Sequence, residues 1–495
     1  MFKHKTIIIL IFSAIITTYF LAIPQRTIHI DEGMGIRASE TVLEGNYQYS
    51  PHNGHGATLF YIGSAIRFFG GTNIIFFRAF TVLCTIVALL LLFFFYKKEL
   101  SLSGQITLLM GLGFSSGFLF YSTYFIQEPL FILFTITTFL SFEKWLRSKE
   151  GIWLGNTVIF LALMYMTKET ALLTYGAWFL AGLIIVLVYK KSVKEFFTKE
   201  NFIFAGTGIM VSTILYFLIY GFNIDLLMAP YYWLTERTLI MHIKPWYYFL
   251  TLLFLHEPFL LIFGSSLAIF TTLKKQWSAK KLFLFFWFII ILAIYSILPY
   301  KTPWCIPNII LPIGLFIAFS ISNSWKNQIE KNLIIFTATS LLILSIACLF
   351  YNNFIWPDRA NKYDYAYVQC GTSFNKFLSI IESISKISSQ YSLQLQIIGQ
   401  TDELLHVVTE KYNKAYSYFT PNLPVYINYM HSVEETKKML YQSEKEYVFL
   451  KFNYFVPGPE IDLFIRKDLY DKYSQSPDFI TPSVWNNESN VFRYY

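Results

Sequence analysis

Five short segments of the sequence contain residue types that could do chemistry, and two of these segments are acidic. Asp31 and Glu32 are adjacent in IHIDEGMG, and Glu128 lies in YSTYFIQEPLF. Adjacent carboxylates near a membrane surface are costly unless they are solvated or used. The alternative interpretations are a solvated loop for the first segment and an ordinary turn residue for Glu128.

A third segment contains two histidines in a glycine-rich turn. His52 and His55 lie three residues apart in YSPHNGHGATLFY. As imidazolium groups they could bind a phosphate, and as neutral ligands they could hold a metal together with Asp31 or Glu32. The alternative is a pair of turn histidines on a hydrated surface.

The last two segments contain lysines between apolar stretches. Lys168 and Glu169 are adjacent in MTKETAL, and Lys301 lies between two prolines in LPYKTPWCIPN. Charged groups at membrane depth predict a functional site, and a lysine can hold a phosphate as a compact point charge. The alternatives are an ion pair that caps two helices and a lysine that extends to the membrane surface beside an aromatic anchor.

The elements that must position these segments are transmembrane helices. The chain has 495 residues, of which 55% are hydrophobic and 14% are charged, and a soluble domain could not bury so much apolar area. Continuous apolar runs of about 20 residues predict membrane-spanning helices. About eleven spans are expected, at residues 6–23, 74–96, 104–122, 125–142, 153–169, 171–189, 202–220, 248–272, 282–298, 304–322 and 332–351.

Basic residues occur in every second loop, which predicts that these loops and the N-terminus face the cytoplasm. They are found at Lys97–Lys98 and in residues 143–150, 189–199, 274–281 and 326–331. The net charge of +8 is thereby explained by membrane anchoring, and no nucleic-acid partner is expected. All five segments that contain candidate site residues then lie on the outer side of the membrane. This arrangement predicts one outward-facing site for an anionic, membrane-embedded substrate.

Two regions outside the spans are long enough to fold. The first outer loop, residues 24–73, contains two segments with the periodicity of helices that lie at the membrane surface. The polar tail contains alternating strand and helix patterns, such as LQLQIIG and NKFLSIIESISKIS, which predict a small α/β domain. The expected division is a transmembrane domain at residues 1–351 and an extracytoplasmic domain at residues 352–495.

The order of motifs in residues 24–310 resembles membrane glycosyltransferases of the GT-C type. These motifs read DE, YxYxPxxxGHG, LFYIG, YSxYxIxE, TKET, PWYY and YKTPW. The sequence is most similar to the group of protein O-mannosyltransferases and aminoarabinose transferases, in its flippase-associated branch. The resemblance implies an enzyme of the cytoplasmic membrane that transfers a sugar from a polyprenyl phosphate to an acceptor on the extracytoplasmic side.

The resemblance also implies roles for individual residues. Asp31 takes the place of the catalytic base, with Glu32 as its acidic neighbour. Substrate-binding roles fall to five residues: His55, Glu128, Lys168, Glu169 and Lys301.

By the same resemblance, Lys168 and Lys301 would contact the phosphate of the donor. The acceptor hydroxyl would attack the anomeric carbon in a single displacement and invert its configuration. A divalent metal is one candidate cofactor, with Glu128, His52 and His55 as candidate ligands. The acceptor is a glycan, a lipid or a protein.

The sequence departs from this branch at three positions, where Thr123, Gln127 and Ala57 replace the usual Arg, His and Pro. Two other functions remain alternatives: a transporter or flippase of lipids or glycans, and an assembly protein without catalysis. A transporter would be expected to show internal repeats and charges near the middle of the membrane. The sequence shows neither feature.

Overall fold

The computed structural model gives a mainly helical chain with a small sheet near its C-terminus. Contacts divide the chain into two compact units. The first comprises Met1–Arg26, Ala38–Pro357 and Lys362–Tyr365, and the second comprises Thr27–Arg37, Asp358–Asn361 and Ala366–Tyr495. The structure describes residues 2–479 except 52–54, 72, 191–197, 238–241, 323–327, 358–363, 368, 371, 389–392, 400–404, 406–407, 410–411, 415–418, 442–444, 454 and 457–459.

The first unit is built from long apolar helices joined by short loops. Its helices are α1 (Phe2–Ala22), α2 (Ile30–Leu43, which begins in the second unit), α3 (Thr58–Gly70), α4 (Ile74–Tyr96), α5 (Leu102–Gly113), α6 (Ser116–Ser122), α7 (Gln127–Ser148), α8 (Gly151–Thr167), α9 (Ala171–Tyr189), α10 (Lys199–Tyr220), α11 (Asp225–Tyr232), α12 (Tyr248–His256), α13 (Gly264–Leu273), α14 (Ala279–Ile297), α15 (Ile306–Ile321) and α16 (Gln328–Phe350).

Every predicted span coincides with one of these helices or with a bent pair of them. Within the described residues, eight helices are long and apolar enough to cross a membrane, or up to ten if each bent pair is one span. The remaining predicted span is the shorter apolar helix α8. The prediction of a polytopic helical membrane protein is therefore confirmed, and both helices predicted in the first outer loop are present as α2 and α3.

Ion pairs at one end of the bundle link residues of three of the five basic segments with one another and with Glu99, which directly follows Lys97–Lys98. Lys280 Nζ lies 2.6 Å from Glu99 Oε2, and Arg147 also pairs with Glu99. Lys274 Nζ lies 2.7 Å from Glu330 Oε1. The alternation of basic loops thus correctly predicted that these segments share one face. That this face is cytoplasmic remains a prediction from their charge.

Two predicted spans are broken, and their breaks meet at one buried carboxylate. Helices α5 and α6 are bent by 51°, and α12 is bent by 103° from the helical segment Phe259–Leu273. Glu257 lies in the second break, before Pro258. Its carboxylate accepts hydrogen bonds from the Ser115 hydroxyl (3.0 Å) and the Gly117 amide (2.7 Å) in the first break, and from the Tyr365 hydroxyl (3.0 Å). Lipid offers no hydrogen-bond acceptors, so the Glu257 carboxylate is the acceptor for the amide and hydroxyl groups at the two breaks.

The second unit contains the elements β1 (Gln369–Cys370), α17 (Thr372–Ile387), β2 (Gln394–Gly399), β3 (Asn413–Lys414), β4 (Val425–Tyr429), α18 (Val433–Leu440), β5 (Tyr447–Asn453), β6 (Phe455–Val456), β7 (Glu460–Arg466) and α19 (Lys467–Ser474). Among the described residues, these strands form a five-stranded sheet in the order β3-β2-β4-β7-β5 and a two-stranded sheet of β1 and β6. Strands β2, β3 and β4 run parallel, whereas β7 is antiparallel to β4 and β5.

A short segment from the first outer loop packs in this α/β unit. Ile28 and Ile30 contact its hydrophobic core, and the Ile28 carbonyl accepts a hydrogen bond from the Cys370 amide at 2.8 Å. The expected division placed the whole loop in residues 1–351. The structure instead groups Thr27–Arg37 with the second unit, because the two isoleucines find an apolar surface there.

The Glu257 network generates a prediction about stability. Glu257→Ala should lower the melting temperature of the full-length protein in detergent by several degrees, because three buried donors lose their acceptor at about 1–3 kcal/mol each. The four free cysteines, of which Cys84, Cys305 and Cys370 are buried, allow unfolding to be followed with a thiol-reactive dye.

Glu330→Gln is the matched control, since Glu330 is a partly exposed carboxylate that pairs with Lys274. Its expected change is within about 0.5 kcal/mol. Equal melting temperatures for Glu257→Ala and the wild type would show that the carboxylate does not support the two breaks.

Candidate functional site

Two of the predicted site residues form a buried ion pair in the first unit. Lys168 follows the end of α8, where its ammonium group contacts the carboxylate of Glu128 in the first turn of α7. Both side chains are 3% exposed. Burial alone would lower the pKa of Lys168, but the Glu128 carboxylate holds this pKa above its ordinary value. The pair as a whole therefore carries no net charge.

A second pair joins His55 to Glu169. The imidazole Nδ1 lies 3.0 Å from Oε1 of Glu169, which is 3% exposed, whereas His55 is 19% exposed. Burial raises the pKa of Glu169, but His55 outweighs this effect and keeps the pKa below its ordinary value. The carboxylate thus holds the Nδ1 edge of the ring and fixes its orientation.

Lys301 differs from Lys168 in its partner. Its ammonium group donates to the carbonyl of Leu298, and within the described residues no carboxylate pairs with it. Burial lowers the pKa of Lys301 below its ordinary value. The Lys301 amide also donates to the His242 carbonyl at 3.0 Å, which fixes the backbone of this segment. Lys301 is consequently a buried cation that would gain from an added anion.

One small cavity brings three of these segments together. Its volume is about 10 Å³, close to the minimum of ~10–15 Å³ that one water molecule needs. Besides His55 and Lys168, the lining includes Cys305 and four aromatic residues: Trp233, Tyr295, Tyr300 and Trp304. The cavity is too small for a sugar phosphate, so the segments must separate before a substrate of that size can enter.

The sequence did not single out this aromatic lining. Trp233 directly follows α11 and packs edge-on against Tyr300 with ring centroids 5.7 Å apart. Tyr300 and Trp304 flank Lys301 in the YKTPW motif, so their position beside a candidate lysine could have identified them as residues of the site. Trp233 carried no such signal, because many aromatic residues occur at membrane surfaces.

Asp31 and Glu32 lie in the first turn of α2, in the part of the chain that belongs to the second unit. The His29 imidazole accepts a hydrogen bond from the Asp31 amide at 3.1 Å, and the Glu32 carboxylate lies 3.5 Å from the His29 amide. This reciprocal arrangement is a capping box. Glu32 is buried and is used in it, which indicates a structural role.

The carboxylate of Asp31 is not used in the capping box. It is partly exposed, and no hydrogen bond or ion pair involves it among the described residues. A negative charge is favoured at the N-terminus of a helix. Of the two adjacent carboxylates, Asp31 is therefore the one that remains available to a substrate.

An arginine lies next to one of the positions where the sequence departs from its branch. Arg26 Nε donates to the Thr123 hydroxyl at 2.7 Å, and its guanidinium stacks 4.3 Å from the ring centre of Phe120. A cation is thus present beside position 123, supplied by the segment after α1. At the second departure, Gln127 donates to the Gly56 carbonyl at 3.3 Å.

The candidate metal ligands do not form a cluster in the described part of the chain. No group of three His, Cys, Asp or Glu residues there is placed to hold a metal ion. Glu128 is engaged by Lys168, and His55 by Glu169. His52 lies outside the described residues. The metal therefore remains a prediction.

Comparisons with known proteins agree with the resemblance seen in the motifs. Residues 53–232 match the family of dolichyl-phosphate-mannose-protein mannosyltransferases. The crystal structure of ArnT from Cupriavidus metallidurans in the apo state is similar in fold, with a TM-score of 0.62, 11% sequence identity, and coverage of 93% of this chain and 98% of that chain. The structure of the same protein bound to undecaprenyl phosphate gives a TM-score of 0.61 with the same identity and coverage.

No curated protein sequence matches the chain. The fold is nevertheless shared along nearly the whole length of both chains, and the family match covers the segment that contains His55, Glu128, Lys168 and Glu169. The predicted fold is confirmed by the ArnT structures. The chain therefore has the fold of the ArnT structures, and its segment 53–232 is similar to the dolichyl-phosphate-mannose-protein mannosyltransferases.

Proposed function

We propose that the protein transfers a sugar from a polyprenyl phosphate to a hydroxyl group of an acceptor on the extracytoplasmic side of the cytoplasmic membrane. The observation that carries this proposal is the cluster of basic side chains in the first unit, where Lys168 and His55 line one cavity and Lys301 lies in the adjoining segment. The ArnT structure with undecaprenyl phosphate supports a donor of this class, and a glycan, lipid or protein would be the acceptor.

Lys301 is the best candidate for the first contact with the donor phosphate. Lys168 is already neutralised by Glu128, whereas Lys301 donates only to a carbonyl group. An anion therefore gains more from Lys301, since a buried cation without a carboxylate is costly. Lys168 and Glu128 would act as a neutral pair that donates hydrogen bonds without adding net charge.

His55 would contribute a further contact to the phosphate or the sugar through Nε2. Glu169 holds the opposite edge of the ring, so the orientation of the imidazole is set before the substrate arrives. The aromatic side chains that line the cavity offer flat apolar surfaces to the sugar ring. Because the cavity holds about one water molecule, donor entry requires that the loop containing His55 and the YKTPW segment move apart.

In the reaction, the acceptor oxygen attacks the anomeric carbon while the bond to the phosphate oxygen breaks. Asp31 takes the proton of the acceptor hydroxyl as the new bond forms. The electron pair of the broken bond remains on the polyprenyl phosphate, where the nearby cations stabilise the added charge. Phosphate is a good leaving group, so no general acid is required. A single displacement inverts the configuration of the anomeric carbon.

Asp31→Asn tests the proposed base. We expect sugar transfer to fall by at least about 100-fold, because general-base catalysis contributes about 10²–10⁴-fold. The melting temperature should be unchanged, because the backbone amide of residue 31, which donates a hydrogen bond to His29, is retained in the variant. Cells in which Asp31→Asn replaces the wild-type protein should accumulate the polyprenyl-phosphate sugar. The measurement is mass spectrometry of lipid extracts and of surface glycans.

Glu44→Gln is the control for this variant, because Glu44 is an exposed carboxylate just after α2. Normal glycans are expected from it. Full transfer by Asp31→Asn together with loss of transfer by His55→Gln would refute the base assignment and favour the His55–Glu169 pair instead.

Substitutions of Lys301 test the phosphate contact. Lys301→Gln should reduce transfer by about 10²–10³-fold, the usual effect of removing a group that stabilises developing charge. Lys301→Arg should retain more activity and should extend the pH range. Burial lowers the pKa of Lys301, so its charge is lost as the pH rises through that value, whereas an arginine stays charged.

The measurement is transfer as a function of pH in membranes that contain each variant at equal amounts. Lys97→Gln, at the opposite end of the bundle, is the control. An alkaline limb at the same pH in the wild type and in Lys301→Arg would show that Lys301 does not titrate during turnover.

A further inference from the structure

A second cavity lies at the basic end of the bundle, away from the candidate site. Its volume is about 610 Å³, within the range of about 300–1,000 Å³ that is typical of ligand sites. The residues that line it include Glu99, Trp277, Lys280, Lys281, Phe319 and Ser322. They come from the loop before α5, from the start of α14 and from the end of α15.

The acidic residue in this cavity is already neutralised. Lys280 Nζ lies 2.6 Å from Glu99 and 2.5 Å from Glu143. Arg147 pairs with both of the same carboxylates. Two carboxylates are thus balanced by two cations, and the Tyr96 hydroxyl donates a further hydrogen bond to Glu143. This cluster of four charges contributes no net charge to the cavity.

Lys281 adds a positive charge to the cavity that the cluster of four charges does not balance. The residue is 5% exposed, and its ammonium group donates to the Gln276 carbonyl at 2.5 Å. Within the described part of the chain, no carboxylate pairs with it. An ammonium group has three donors, so two remain for an anion. Keeping a charge buried without an opposite charge is costly, and an anion in the cavity would remove that cost.

The surroundings of Lys281 favour an anion with an apolar part. The cavity lies at the N-terminus of α14, a helix of 19 residues, whose dipole adds partial positive charge. On the other side, Trp277 stacks on Phe316 with ring centroids 5.7 Å apart. Trp side chains are typical of the boundary between lipid and water. The cavity thus combines a cation with an aromatic wall of the kind that is found at the boundary between lipid and water.

The geometry points to a site for a phosphate group in this cavity, with Lys281 as its main contact and a phospholipid headgroup or free phosphate as its source. Basic pockets between transmembrane helices on the cytoplasmic side are known to bind anionic headgroups. The bound phosphate would connect α14 with α15 and the loop before α5. This inference does not depend on the proposed transfer reaction.

The test uses the purified full-length protein in detergent. Native mass spectrometry would count bound phosphatidylglycerol and phosphatidylcholine of equal chain length, and thermal unfolding would be measured in phosphate and in chloride at equal ionic strength. We expect phosphatidylglycerol to bind at least tenfold more tightly than phosphatidylcholine. Lys281→Gln should abolish this preference, whereas Lys331→Gln, an exposed lysine at the same end, should retain it.

The two sources give different results. A preference for phosphatidylglycerol without stabilisation by inorganic phosphate supports a lipid headgroup. Stabilisation by inorganic phosphate that is absent in Lys281→Gln supports free phosphate. If Lys281→Gln does not fold, Ser322→Asp tests the same site, because an added carboxylate should reduce binding at least tenfold. The inference is overturned if neither phosphatidylglycerol nor phosphate is preferred by the wild type, or if the folded variants bind as the wild type does.

Discussion

The structure depends on one constraint: hydrocarbon provides no partners for polar groups, so each buried charge must find its partner within the protein. The Lys168–Glu128 pair shows the consequence at the candidate site, where an ammonium group and a carboxyl group are almost fully buried together. The Glu257 carboxylate meets the same requirement for hydroxyl and amide groups at two helix breaks. Lys301 and Lys281 stand apart, since each has a carbonyl group as its partner.

This constraint explains why the sequence predicted the transmembrane unit so well. A span must be apolar over its whole length, which makes runs such as residues 74–96 recognisable without any knowledge of their neighbours. The basic loops between them predicted which loops meet at one end, as Lys280 and Glu99 do. The pairing of Lys168 with Glu128 was not predicted, because it depends on how two helices pack. The motif order supplied the resemblance to GT-C glycosyltransferases and the proposed role of Asp31, neither of which the spans alone could indicate.

The sequence was less informative where structure arises from contacts between distant segments. The bends near Ser115 and Glu257 lie inside apolar runs that read as continuous helices. Strand β7 was not predicted, although it lies between β4 and β5 in the sheet, because its alternation is short. The place of Ile28 and Ile30 in the α/β unit could not be predicted either, since two isoleucines after a transmembrane helix carry no sign of the core that they join.

The meeting of two helix breaks at Glu257 has a consequence for how such a sequence can change over time. The hydrogen bonds to Ser115 and Gly117 connect positions that are about 140 residues apart in the chain. A substitution that straightens one of these helices would leave the polar groups of the other without partners in lipid. Positions 115–117 and 257 are therefore expected to covary among homologous sequences, so that relatives either keep both breaks or lose both.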